Sequence, residues 1–120
     1  MSQLLLRLTI NALSLAAAIK LIDGIVFTGE WWKILFIAAI FGIVNALIKP
    51  FVQFFALPLI IITLGLFTLI INAAMLGITA ALSGPLSLGF HINGFWPALW
   101  GALVISVVSM LLTALTGIRR

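Results

Sequence analysis

Long apolar runs, separated by short polar or turn-forming stretches, dominate the chain. Four runs are long enough for a membrane span, and they cover residues 4–22, 31–48, 63–82 and 95–117. Each is followed by residues that favour a helix end, namely Asp23-Gly24, Lys49-Pro50, Ser83-Gly84-Pro85 and Arg119-Arg120. Because a helix of about 20 apolar residues crosses the hydrocarbon core of a bilayer, the pattern predicts four transmembrane helices.

The stretch at residues 49–62 is also apolar, but Pro58 interrupts it and neither side is long enough to span. We predict a short interfacial helix or re-entrant turn, in which Gln53 faces headgroups and three aromatic residues face acyl chains, namely Phe51, Phe54 and Phe55. Pro58 is an alternative start for the third span, because proline is accepted in the first turn of a helix.

The composition identifies the solvent of the fold. Apolar residues make up 65% of the chain, charged residues make up 7%, and the mean hydropathy is +1.43. A water-soluble fold of this size could not cover its surface with polar groups, so we expect an all-α integral membrane protein. The four spans leave no room for a soluble domain, which predicts a single membrane domain over residues 1–120.

The charged residues predict an orientation in the membrane. A cytoplasmic amino terminus would place four basic residues and no acid on that side, namely Arg7, Lys49, Arg119 and Arg120. The outer side would hold Lys20, Lys33, Asp23 and Glu30. We therefore expect both termini in the cytoplasm. The tryptophans fall near the outer span ends and predict a belt of interface anchors, namely Trp31, Trp32, Trp96 and Trp100.

The net charge of +4 does not indicate a nucleic-acid partner. It rests on six basic side chains scattered at span ends, which suits lipid headgroups better than DNA or RNA. We expect membrane lipids as partners.

The first apolar run has the alternative reading of a cleaved signal peptide, with Ala16-Ala17-Ala18 as the cleavage site. We favour a retained helix, because the run carries Asn11, has a weak basic start and resembles the third span.

Two halves of the chain resemble each other. Residues 8–15 and 69–76 match as apolar helix segments that share the pair Asn11 and Asn72, and a glycine and tryptophan pattern follows both. The pattern is Gly24, Gly29 and Trp31 in the first half and Gly89, Gly94 and Trp96 in the second. Apolar helices also match by chance, but the second, ordered match favours duplication. We predict two tandem hairpins in a parallel repeat, with a pseudo-two-fold axis along the membrane normal.

The two outer loops each contain a short stretch of alternating residues. Ile25 and Phe27, like Phe90 and Ile92, alternate with small or polar neighbours. This period of two predicts short extended segments that pair across the axis.

Small residues recur four apart in every span, as in Ala38, Gly42 and Ala46 or in Ala73, Gly77 and Ala81. Such stripes permit close helix packing in lipid, and we expect Gly42 and Gly77 to lie at helix contacts. We interpret Asn11 and Asn72 as buried packing residues. Asn45 lies four residues before Lys49, so fixing the adjacent turn is an equal alternative for it.

Side chains for catalysis are scarce. The chain has one histidine, no cysteine and no tyrosine, and its two acids lie in or beside the first outer loop. No nucleophile with a base, metal-ligand cluster or phosphate-binding glycine loop can be assembled. We expect no enzymatic activity and no cofactor. The spans also lack an interior carboxylate, which disfavours proton-coupled transport.

The central stretch resembles a known family. The segments that carry the resemblance are Asn45-Ala46-Leu47-Ile48-Lys49-Pro50, Leu57-Pro58, Thr63-Leu64-Gly65 and Asn72. They are similar to phage holin superfamily IV, the YvlD-like four-span bacterial membrane proteins, over nearly the whole chain. The resemblance implies four helices in the bacterial inner membrane and self-association. It also marks Lys49, Pro50, Pro58 and Gly65 as structural positions.

Two functional classes remain. One is a packed, non-enzymatic membrane module with a scaffold, lipid-interacting or envelope-stress role. The sequence does not identify a membrane-protein partner for such a module. The alternative is an oligomeric holin-type pore. The polar side chains within the spans do not form a continuous stripe, which favours the packed module.

Overall fold

The computed structural model describes residues 2–116, which form six helices and two short strands. In chain order they are α1 (Ser2–Leu21), β1 (Ile25–Phe27), α2 (Lys33–Leu47), α3 (Lys49–Phe55), α4 (Leu57–Ile62), α5 (Phe67–Ser83), β2 (Phe90–Ile92) and α6 (Phe95–Thr116). The expected end of the last span at Gly117, together with Arg119 and Arg120, lies outside the described residues.

Four of these helices form the bundle. Helix α1 packs against α2 and α6, and α5 packs against the same two helices from the opposite side. Within residues 2–116, three apolar segments have the length of a membrane span, namely Ser2–Leu21, Lys33–Phe55 and Phe95–Thr116. Helix α5 is shorter, with 17 residues, and rises about 26 Å at 1.5 Å per residue. The prediction of a mostly helical protein with several apolar, membrane-length helices is therefore confirmed.

Apolar side chains form both the core and the surface of the bundle. Leu15, Ile37 and Leu76 are at most 1% exposed and lie in one core cluster. Leu13 and Met110 project outwards from their helices and are 52% and 68% exposed. A surface of this kind is stable where the surrounding solvent is a lipid chain.

A two-stranded sheet closes one end of the bundle, which we call the sheet end; the opposite end is the terminal end. Strand β1 pairs antiparallel with β2, and Val26 lies opposite His91. The ladder continues on both sides, because the Thr28 N–H donates to the Gly89 carbonyl at 2.9 Å and the Asn93 N–H donates to the Gly24 carbonyl at 2.8 Å. The extended segments expected in the two loops are therefore confirmed, including their pairing.

The helical path continues beyond Lys49-Pro50, where the sequence pattern predicted an end. The Ile48 N–H donates to the Val44 carbonyl at 2.9 Å, and the Val52 N–H donates to the Ile48 carbonyl at 3.2 Å. Pro50 lies in the first turn of α3, where a missing N–H costs little. Helix α2 itself ends at Leu47, one residue before the predicted end of the second span at Ile48. Pro50 lies in a separate helix, and Pro58 has the same place in the first turn of α4.

A turn at residues 63–66 separates α4 from α5. Leu64 and Gly65 have positive φ angles of 58° and 93°, and the Gly65 N–H donates to the Ile60 carbonyl at 2.8 Å. This six-to-one bond with a left-handed residue before it is the Schellman pattern of a helix end. The alternative that the third span begins at Pro58 is therefore wrong, because Pro58 belongs to a separate helix.

Candidate functional site

The loops at the sheet end touch through their glycine backbones. A Cβ added to Gly89 would lie 2.6 Å from the Gly29 nitrogen, and one added to Gly29 would lie 2.7 Å from the Leu88 carbonyl oxygen. Gly89 also has a φ of 75°, a region that other residues occupy only with strain. Glycine is thus required at the junction of the two loops.

The sheet is seated on α6 by two further close approaches. A Cβ on Gly24 would overlap the Pro97 ring, and a Cβ on Gly101 would overlap the tip of Ile25. Ile25 is only 3% exposed, so its side chain has little room to move away. These two contacts couple the strand pair to the first turns of the last helix.

Lys33 is the basic residue that links the two halves at the sheet end. Its ammonium group donates to the Ser87 carbonyl oxygen at 3.1 Å and lies 5.6 Å from the centre of the Trp32 ring. Ser87 adopts a φ of 54° in the turn after α5. The contact joins residues 54 positions apart, and sequence periodicity carries no signal for it.

The four tryptophans lie at or next to the starts of α2 and α6, and therefore near the sheet end. They are exposed to different degrees, at 76% for Trp31, 39% for Trp32, 65% for Trp96 and 53% for Trp100. The Trp32 indole N–H donates to the Glu30 carboxylate. An apolar ring with a polar edge suits the boundary between acyl chains and headgroups.

The three asparagines of the bundle helices occupy different environments. The Asn11 side-chain nitrogen lies 3.4 Å from where a Cβ on Gly42 would stand, which places both at the contact of α1 with α2. The Asn72 side-chain nitrogen lies 3.4 Å from the Ser106 hydroxyl oxygen on α6. The side-chain oxygen of Asn45 is buried without a hydrogen-bond partner among the described residues.

The predicted packing glycines behave differently from each other. A Cβ on Gly42 would meet Asn11, whereas one on Gly77 would have no neighbour within 4 Å. The expectation that Gly77 lies at a close helix contact is wrong within this chain. Gly77 instead lines an open groove of about 330 Å³ beside His91 and Ala98. The stripe repeats at the right spacing, but helix rotation turns this part of it outwards.

The residues of the central motif lie in and around α3 and α4. Lys49 is the half-buried first residue of α3, while Pro50 and Pro58 occupy the first turns of α3 and α4. Gly65 has no neighbour for an added Cβ within 4 Å. Its role here is to permit the turn before α5.

Hydroxyl side chains in the bundle interior bond to their own helices. Ser14 donates to the Ile10 carbonyl at 2.7 Å, and Thr79 donates to the Met75 carbonyl at 2.9 Å. Ser83 donates to the Thr79 carbonyl at 2.7 Å. All three residues are 0% exposed. Within a helix, serine and threonine can donate to the carbonyl of the residue four positions earlier. A serine or threonine inside a predicted helix is therefore the sequence signal for such a bond.

Residues 2–116 contain no group of three His, Asp or Glu side chains that could hold a metal ion. Asp23 and Glu30, the two acids of the chain, lie on either side of β1. What the arrangement provides is a hydrogen-bonded cap, a ring of interfacial indoles and one cation held at the loop junction.

Comparison with known proteins gives the family. Residues 2–111 match the family described as mycobacterial 4 TMS phage holin, superfamily IV. The uncharacterized protein SCO3922 of Streptomyces coelicolor is 43% identical over 119 residues, which cover 95% of each chain. The uncharacterized membrane protein YvlD of Bacillus subtilis is 38% identical over 103 residues, which cover 86% of this chain and 83% of YvlD. No solved structure matches. The resemblance carried by the central motif is confirmed, and the chain belongs to phage holin superfamily IV, a family of multi-pass membrane proteins.

Proposed function

We propose that this protein is a non-enzymatic, closed helix module that serves as a scaffold in the bacterial inner membrane. One observation carries the proposal: the buried hydroxyls of Ser14, Thr79 and Ser83 donate to carbonyls of their own helices. A hydroxyl engaged in this way contributes little to a continuous hydrophilic lining. The surrounding core is apolar, with Leu15, Ile37 and Leu76 at most 1% exposed.

The scaffold in this proposal is built from two related hairpins. Each buried residue of α1 corresponds to a buried residue of α5 when 61 is added to its number: Ile10, Ala12, Ser14, Leu15 and Ala18 correspond to Ile71, Ala73, Met75, Leu76 and Thr79. The strands support the same relation. Val26 and His91 occupy equivalent positions of the two loops and lie opposite each other, as a two-fold axis through that pair requires.

In the same proposal both termini lie in the cytoplasm, and the protein self-associates and contacts lipid through α3 and α4. Neither of these helices has a buried residue. Phe51, Phe54 and Phe55 are 69%, 72% and 78% exposed, and Gln53 is half-buried. An apolar segment with an outward aromatic face and Lys49 at its start suits the boundary of the cytoplasmic leaflet.

A holin-type pore is the second candidate, and one observation favours it. The Asn45 side-chain oxygen and the Thr113 hydroxyl oxygen are both buried without a hydrogen-bond partner among residues 2–116. Both residues lie towards the terminal end, on α2 and α6. A buried polar atom without a partner costs about 1–3 kcal/mol, and entry of water from that end would satisfy both.

Dye release from liposomes separates the two candidates. The full-length protein is reconstituted at increasing density, and release of a small dye is compared with empty liposomes and with liposomes carrying a pore-forming peptide. The closed module leaves the vesicles as tight as empty ones at every density. Release that grows with protein density refutes the proposal. A lower release by Asn45→Ala than by the matched Asn11→Ala would then assign the water path to the terminal end.

A further inference from the structure

A groove with apolar walls runs along the outside of the bundle between α2 and the end of α5. Its walls are Ile40, Ile43, Val44, Leu82, Pro85 and Leu86, and its volume is about 380 Å³. No polar surface contributes to it. The groove is open towards the lipid-facing side, because Ile43, Leu82 and Leu86 are 57%, 47% and 61% exposed.

The groove and Lys33 lie along the same helix. On α2 the groove is lined by residues from Ile40 to Val44, and the 11 residues from Lys33 to Val44 rise about 16 Å. The hydrocarbon core of a bilayer is about 30 Å thick, so one leaflet contributes about 15 Å. A chain that enters beside Lys33 would reach the middle of the membrane at Val44.

A cation lies next to the groove, on the side of the sheet end. The residue after Leu86 is Ser87, whose carbonyl oxygen accepts a hydrogen bond from the Lys33 ammonium group at 3.1 Å. This bond uses one of the three ammonium donors, and among residues 2–116 Lys33 makes no ion pair. The Ser87 side chain is exposed beside it. Trp32, which contacts the ammonium group through its ring, places this point at headgroup level.

We propose that this groove binds one anionic phospholipid, with a phosphate oxygen on Lys33 and an acyl chain along α2. Charge complementarity selects an anionic headgroup, since the Lys33 ammonium group has two further donors and no carboxylate partner among residues 2–116. The walls suit an acyl chain, because no polar surface contributes to the groove. The site does not involve α3 or α4 and holds whether or not the bundle conducts.

Lipid titration followed by native mass spectrometry tests this site on the full-length protein in detergent. The probes are phosphatidylglycerol and phosphatidylcholine with the same acyl chains, together with glycerol phosphate as a headgroup without chains. We expect tighter binding of phosphatidylglycerol than of phosphatidylcholine by about fivefold. Glycerol phosphate should not compete at the lipid concentrations used.

Matched variants locate the site. Lys33→Gln should remove the headgroup preference, whereas Lys33→Arg and the equally charged control Lys20→Gln should retain it. Lys20 is exposed in the last turn of α1 and does not line the groove. Ile43→Trp should weaken binding of both lipids, because the indole fills the groove. Met110→Trp, at a lipid-facing position outside it, should not.

Three results would overturn the proposal. They are equal affinity for the two lipids, the same loss of preference in Lys20→Gln as in Lys33→Gln, and competition by glycerol phosphate. Unchanged binding by Ile43→Trp would equally exclude the groove as the site of the acyl chain. Circular dichroism of each variant distinguishes a lost site from a lost fold, and Lys33→Arg keeps the charge test valid if Lys33→Gln does not fold.

Discussion

Replacing Gly89 by alanine should loosen the junction of the two hairpins. The new Cβ would stand 2.6 Å from the Gly29 backbone nitrogen and 3.1 Å from the Thr28 hydroxyl oxygen, and real Cβ atoms essentially never approach within 3.0 Å. The nearest atom belongs to the backbone, so the loops themselves have to separate. The bond from the Thr28 N–H to the Gly89 carbonyl, now 2.9 Å long, would lengthen.

The magnitude has two parts. A residue other than glycine at a φ of 75° stores about 1–3 kcal/mol of backbone strain. Forcing a methyl group into an occupied space costs a further 1–3 kcal/mol or so. We therefore expect Gly89→Ala to lower the free energy of unfolding by about 2–6 kcal/mol. The control Gly94→Ala has a φ of 108° but no neighbour within 4 Å, and should cost only the strain of about 1–3 kcal/mol.

Equilibrium unfolding in mixed micelles with increasing SDS measures the difference. Tryptophan fluorescence is a suitable signal, because all four tryptophans lie at or near the starts of α2 and α6, close to the sheet. A second control, Gly77→Ala, has open space for its methyl group and should be neutral or stabilising by up to about 1 kcal/mol. Equal midpoints for Gly89→Ala and Gly94→Ala would refute the reasoning, since strain alone would then explain both.

Three further predictions concern a turn, the strand register and a helix contact. Leu64→Gly should raise the thermal midpoint through a gain of about 1 kcal/mol, because Leu64 has a φ of 58° and is 94% exposed; a lower midpoint would contradict this. Val26→Cys combined with His91→Cys should form an intramolecular disulfide on mild oxidation, since paired strand residues have suitable Cα separations. The mobility of the oxidised chain on a denaturing gel detects it, the single variants are the controls, and an absent bond would refute the register. Asn72→Ala should destabilise by only about 0.6 kcal/mol, and less in a Ser106→Ala background; strictly additive losses in SDS unfolding would exclude the contact.

The local hydrophobic pattern and the internal repeat predicted those elements that depend on residues close together in the sequence. Ile25 with Phe27 and Phe90 with Ile92 alternate with polar or small neighbours, and the pairing of these segments was predictable because the loops resemble each other. Pro50 marks the place where one helix ends and the next begins, since α2 ends at Leu47 and α3 begins at Lys49. In the first turn of a new helix a proline removes no hydrogen bond that must be kept, which is why backbone hydrogen bonds continue across this point.

Long-range contacts were beyond the reach of pattern analysis. Gly77 follows the same spacing as Gly42, and only the rotation of α5 in the bundle decides that it faces an open groove. The bond between Lys33 and Ser87 depends on how α2 meets the turn after α5, which no local pattern records. The orphan oxygen of Asn45 likewise depends on which neighbouring helix supplies a donor.

The strand pair also determines how the two hairpins can move. At the sheet end they are held by a ladder that extends from Gly24 and Asn93 to Thr28 and Gly89. At the terminal end they are connected by α3 and α4, and no residue of these two helices is buried. If the halves separated, the ladder would act as the hinge, and the widest displacement would fall on the leaflet that contains Asn45 and Thr113.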